Sequence, residues 1–135
     1  MSQRAIVFGG SGFLGSHVAE QLLEKGYDVT VFDRISSPYL KPDQKMIVGD
    51  ILDANYIKTV VKGHDVVFNF AGLSDLDLGV SQPLEVVQQN IAGTISLLNA
   101  AAEAKVQRFI LASTIYVYSN LGGFYRCSKQ AAELF

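Results

Sequence analysis

Short apolar runs alternate along this chain with longer stretches of helical period. Residues 5–8 (AIVF), 29–33 (VTVFD), 46–50 (MIVGD), 65–72 (DVVFNFAG) and 108–113 (RFILAS) are the strand candidates. They are apolar nearly throughout rather than at every second position, the pattern of a parallel sheet covered on both faces. A helix is predicted over 13–25, with Leu14, Val18, Leu22 and Leu23 near one face and Gly26 placed as its C-terminal cap. Further helices are predicted over 53–61, opened by Asp53, over 83–104, and from Tyr125 onward. Residues 36–43, with two prolines, and the polar stretch 73–83 are expected to be irregular. Strand–helix alternation with right-handed crossovers specifies an α/β, doubly wound parallel sheet of order 3-2-1-4-5. The fifth strand would be an apolar edge with no later strand to cover it. The chain is therefore expected to be part of something larger.

The turn between the first strand and the first helix reads GGSGFLG, with Gly9, Gly12 and Gly15 in a G-x-x-G-x-x-G pattern. One glycine can take the left-handed conformation of a tight turn, another lets a pyrophosphate approach the backbone, and a third lets helix and strand pack closely. The helix start then offers free N–H groups and a positive dipole end to phosphates. Asp33 ends the second strand, where a carboxylate can accept hydrogen bonds from an adenine-ribose hydroxyl. Together these predict a Rossmann-type dinucleotide-binding domain over residues 1–135. A carboxylate at that point repels a 2′-phosphate and favours NAD over NADP, although Arg34 beside it offers the phosphate a partner.

Composition narrows the function class. Apolar residues make up 49% and charged residues 18% of the 135 residues, and the net charge is −2 with no basic cluster, which excludes a nucleic-acid surface. No apolar run is long enough to span a bilayer and no signal peptide opens the chain, so the expected setting is cytoplasmic and without a membrane partner. The single Cys127 fits a reducing compartment, and two histidines with one cysteine show no metal-ligand spacing. His17 reads as structural and His64 as solvent-facing.

Six segments in order resemble the extended short-chain dehydrogenase/reductases, the NAD-dependent sugar epimerases and dehydratases. GGSGFLG looks like their glycine turn, which makes Gly9, Gly12, Phe13, Leu14 and Gly15 cofactor-binding residues. Gly49–Asp50–Ile51 looks like their adenine contact, with Asp50 and Ile51 at the base. FNFAG is similar to their fourth-strand end, where Phe70, Ala71 and Gly72 would run under the cofactor. NIAGT, from Asn90, resembles their central-helix motif and implies that Asn90 lies beneath the nicotinamide half. FILASTIYVY resembles their fifth strand and catalytic serine/threonine, here Thr114 with Ser113 before it. YRCSK resembles their Tyr-x-x-x-Lys, which implies Tyr125 as acid/base and Lys129 as its partner on cofactor and phenol. Tyr125 follows Thr114 by 11 positions, a shorter insert than many sugar epimerases carry, and this would reshape the substrate mouth. The resemblance also implies a nucleotide-sugar substrate, a homodimer paired through two long helices, and, since such enzymes run to about twice this length, C-terminal strands and a substrate domain absent from these 135 residues.

A tyrosine and a lysine four apart share a helix face. Free tyrosine titrates near pH ~10, and a neighbouring ammonium favours the phenolate, so Lys129 is expected to lower the pKa of Tyr125 toward a useful base. Thr114 would hydrogen-bond the reacting oxygen. Other readings of the same residues stand beside these. Tyr125 and Lys129 can be a solvated helical pair, Thr114 a turn cap, Asn90 a hydrogen-bonder inside its helix, and Asp50 a cap of the next turn. The chain as a whole can also be a dinucleotide-binding module that senses or scaffolds without turnover.

Overall fold

The computed structural model describes residues 2–135. Five parallel strands, β1 (Arg4–Phe8), β2 (Asp28–Asp33), β3 (Lys45–Val48), β4 (Val66–Asn69) and β5 (Arg108–Leu111), form one sheet in the order β3-β2-β1-β4-β5. This is the expected order. β3, β4 and β5 are shorter than their expected runs and end before them, because ladder pairing stops where the chain turns away at the carboxyl ends, whereas β1 and β2 each begin one residue earlier than expected.

The central strand β1 shows why its run is continuously apolar. Ala5 and Val7 point to one face, under α1 (Phe13–Glu24), with Val29, Val31, Ala19 and Leu22. Ile6 and Phe8 point to the other face, under α2 (Ala54–Val61) and α5 (Gly93–Glu103), with Phe32, Ile57, Val61, Val67 and Leu97. Each face buries its own apolar set, so no polar position survives from Ala5 to Phe8, and only Arg4 at the entry of the strand is exposed. Asp53 caps α2 as expected, its carboxylate accepting from the Tyr56 N–H at 3.0 Å.

Four local expectations are corrected. Residues 73–83 contain a helix, α3 (Leu76–Ser81), because the Asp75 carboxylate accepts from the N–H groups of both Asp77 and Leu78 and closes its first turn. The long helix over 83–104 is three pieces: α4 (Pro83–Val87), a π turn (Gln88–Ala92) and α5. A 3-10 turn (Ile115–Tyr118) precedes α6 (Gly123–Glu133), which starts two residues before Tyr125. On α1 the buried face is Gly15, Ala19 and Leu22, whereas Leu14 is exposed, since the close approach at Gly15 turns Leu14 outward.

Strand order reverses between β1 and β4. The chain leaves β1 toward α1 on one face and leaves β4 toward α3–α5 on the other, and a crevice opens between the two departures. Among the described residues no helix is long and apolar enough to cross a membrane.

Candidate active site

At one end of the crevice the site is made of backbone. Gly9 takes φ +73°, and a side chain on it would stand 2.6 Å from the Phe70–Ala71 peptide. A side chain on Gly15 would meet the Gly9 carbonyl oxygen at 2.2 Å, so α1 rests directly on the turn. Gly12 caps α1 with no side-chain bond, and the first turn of the helix holds no acidic residue. Its free N–H groups therefore face the crevice unanswered, the arrangement a pyrophosphate would complete. Phe13 and Leu14 flank this point and are exposed.

Asp33 closes the same end. One carboxylate oxygen accepts from the Ser11 N–H at 3.0 Å and the other from the Ile35 N–H at 3.4 Å, which ties the glycine turn to the end of β2. Acceptor capacity remains for a ligand hydroxyl. Arg34 is exposed and shares the cavity wall with Asp33, Gly49, Ile51 and Leu73. Ile51 is buried against Gly93. Asp50 accepts from the Leu52 N–H at 2.9 Å and so serves its own turn, the alternative reading for this residue.

At the other end the site is made of side chains from separate elements. Tyr125 and Lys129 on α6 line a second cavity with Ala112 and Ser113 after β5, and with Gly9, Gly12, Phe70 and Gly72. Those four residues also wall the first cavity, so the two hollows meet at the glycine turn and the β4 end. Lys129 is buried, with its ammonium donating to the Ala112 carbonyl at 2.9 Å and standing 5.9 Å from the centre of the Tyr125 ring. Burial lowers its pKa. Tyr125 departs from the sequence-based expectation: its pKa is raised, not lowered. Burial is the main cause, the Thr114 hydroxyl pulls the value back by hydrogen bonding, and the Tyr116 phenol adds to the rise. Lys129 is not among the groups that shift the phenol: one N–H of its ammonium goes to the Ala112 carbonyl and none is bonded to the phenol oxygen. Thr114 also caps the 3-10 turn, accepting from the Tyr116 N–H at 3.3 Å.

Asn90 sits in the π turn with its amide fully engaged. Its Oδ1 accepts from the Leu73 N–H at 2.7 Å, and its Nδ2 donates to the Leu73 carbonyl and to the Ser128 hydroxyl, each at 2.9 Å. It holds the loop after β4 and helix α6 rather than presenting a free amide to the crevice. Four residues that the sequence reading left unassigned complete this network. Asn69 accepts from the Ala71 N–H and donates to Thr94; Thr94 donates to the Asn90 carbonyl; Ser128 donates to the Tyr125 carbonyl at 2.7 Å. An asparagine inside the apolar run VVFNF was the available signal, because a buried amide requires partners. Leu73 is the fourth, and nothing in its residue type marks it. His64 is half-buried, not solvent-facing, with Nε2 3.0 Å from the Thr30 hydroxyl. Cys127 is exposed.

Residues 5–133 match the family model for the NAD dependent epimerase/dehydratase family. A UDP-N-acetyl-alpha-D-glucosaminuronate decarboxylase of Bacillus cytotoxicus is 35% identical over 89% of this chain and 39% of its own length. A 3-beta-hydroxysteroid dehydrogenase of Mycolicibacterium neoaurum is 39% identical over 79% of this chain and 31% of its own. Among solved structures, the UDP-glucose 4-epimerase of Brucella ovis in complex with NAD superposes with a TM-score of 0.89 at 28% identity, over 98% of this chain and 46% of that one. This chain thus spans less than half the length of each of these three.

Proposed function

The chain belongs to the NAD dependent epimerase/dehydratase family, and from that premise we propose that residues 1–135 form the cofactor-binding part of an NAD-dependent nucleotide-sugar epimerase or dehydratase. One observation carries the proposal: the glycine turn and the Tyr125–Lys129 pair open onto one continuous crevice. A bare phosphate cradle alone would suit a sensor. A buried lysine and a half-buried phenol on the same wall suit chemistry on a bound substrate.

NAD, when bound, supplies the hydride acceptor. Gly9, Gly12, Gly15 and the open start of α1 would hold its pyrophosphate, Asp33 its adenine ribose, and the wall of Phe70, Ala71 and Gly72 its middle. The Asp33 carboxylate at the ribose end favours NAD over NADP. Tyr125 takes the proton from a substrate hydroxyl and returns it after the carbon has been oxidised and reduced. Its raised pKa stores it as the phenol, ready to donate. Deprotonation then needs help from Thr114, which already favours the phenolate, and from Lys129. The Lys129 ammonium keeps two N–H donors beyond its Ala112 bond for the nicotinamide ribose. We further infer a cytoplasmic homodimer.

The test is the full-length gene product with NAD and a panel of UDP- and dTDP-sugars, products read by NMR. Interconversion or dehydration of one sugar is expected, and Tyr125→Phe should cut kcat by about 10²–10⁴-fold, the scale of general acid–base catalysis. The steroid-dehydrogenase relative favours a second reading, oxidation of a ring hydroxyl on an apolar substrate by the same pair. A 3β-hydroxysteroid therefore belongs in the panel. No turnover of any member would overturn the enzyme reading.

A further inference from the structure

Tyr125 has a neighbour to which neither the motifs nor the mechanism gives a role, Tyr116. The short insert after Thr114 is folded tightly: the 3-10 turn (Ile115–Tyr118) is capped by Thr114 at one end and held by α6 at the other. Arg126 Nη1 donates to the Ser119 carbonyl at 2.8 Å, and Gln130 Nε2 donates to the Val117 carbonyl at 2.9 Å. These latches turn the ring of Tyr116 inward. It stands edge-on to the ring of Tyr125, centroids 6.4 Å apart and planes at 81°. Gly122, at φ +95°, lets the chain pass over the ring, for a side chain there would stand 2.9 Å from Tyr116 Cγ.

The oxygen of a tyrosine lies on the axis of its Cβ–Cγ bond, so the first side-chain torsion, which has two common settings on a helix, decides where that oxygen points. An acid/base tyrosine needs its oxygen within about 2.6–3.2 Å of the atom it serves, so that torsion must be held. Lys129 does not hold it, since its ammonium bonds to Ala112 and stands 5.9 Å from the centre of the ring with no bond to the phenol oxygen. We propose that Tyr116 is a positioning residue: its ring, locked by the latched turn, fixes the tilt of the Tyr125 phenol over the crevice. The Tyr116 phenol also disfavours a charge on Tyr125, which supports the same closeness. The proposal rests on the reading of Tyr125 as the acid/base.

The test compares Tyr116→Phe with Tyr116→Leu, which keeps apolar bulk for folding but has no ring. In the 135-residue chain labelled with ring-carbon-13 tyrosine, the Tyr125 ring signals should stay at their parent position in the Phe variant and move in the Leu variant. In both, the Tyr125 titration midpoint should fall toward the ordinary value of 10.0. In the full-length enzyme the Leu variant should lose kcat by about 10- to 100-fold, the cost of a misplaced reacting group, with KM nearly unchanged, and the Phe variant should recover most of that loss. Tyr125 signals and midpoint in the Leu variant that superimpose on the parent's would overturn the proposal, as would an unchanged kcat. A parent enzyme without any turnover would overturn the catalytic reading instead, and the ring signals would still decide whether Tyr116 sets the tilt of Tyr125.

Discussion

The two ends of the crevice are built by opposite means. The glycine end is backbone pressed on backbone: Gly9 against the Phe70–Ala71 peptide, Gly15 against the Gly9 carbonyl. The tyrosine end is tied by side chains, bonded to one another and to backbone carbonyls, across β4, the π turn, α5, the residue after β5 and α6. The first tolerates no added atom, and the second tolerates changes that keep a donor or a ring. A backbone cradle suits a ligand part that never varies, whereas side chains can be exchanged to suit a substrate that does.

Substitutions can break that contrast. Gly15→Val gives the largest expected effect, because the new side chain would overlap the Gly9 carbonyl. NAD should then produce no rise in the thermal midpoint, where a bound ligand at about 100 times its Kd would add roughly 2.7 kcal/mol. Lys129→Met at the other end should abolish turnover while NAD still raises the midpoint. The folded protein should be no less stable to urea, because a buried charge with a single bond leaves the core. A joint loss of binding and turnover in both variants would erase the distinction between the ends. Asn90→Ala should cost about 2–3 kcal/mol in urea, the range expected for leaving buried partners unpaired, here the Leu73 backbone and Ser128. Binding of NAD by the folded fraction should weaken only modestly.

The smallest effect is on pH. The folded pKa of Tyr125 lies above its ordinary 10.0, so its share of stability is whole below pH 10.0 and is lost as pH climbs through the raised value. The thermal midpoint of the parent should therefore fall more steeply above pH 10.0 than that of Tyr125→Phe, measured side by side by calorimetry. Parallel slopes would mean that the phenol is not held in a desolvating environment.

The glycine end was legible because its geometry is local. Gly9, Gly12 and Gly15 lie within one turn, and Asp33 follows at the end of the next strand, so spacing alone places them. The sheet order was legible for a similar reason, since five apolar runs and their connections leave one topology. The partners of Asn90 were not legible. Leu73 and Ser128 lie 17 and 38 residues away in opposite directions, and only the folded π turn brings them to one amide. The pKa of Tyr125 was misjudged because a spacing of four puts Lys129 on the right face but does not say what its ammonium binds. The helix at Leu76–Ser81 was missed because its start depends on the Asp75 carboxylate, in a stretch whose composition otherwise reads as loop.

The route by which α6 is held has a consequence for how this site can change. Tyr125 is surveyed from two baselines: from β4 through Asn69, Thr94, Asn90 and Ser128, and from β5 through the Lys129 bond to Ala112. A point fixed by triangulation does not drift when one sight line is cut; it swings about the other. Single substitutions along either line should thus rotate the phenol rather than release it, giving a family of nearby orientations over an unmoved cradle. Selection for a new substrate can walk through those bearings one substitution at a time without rebuilding the sheet that supplies both baselines.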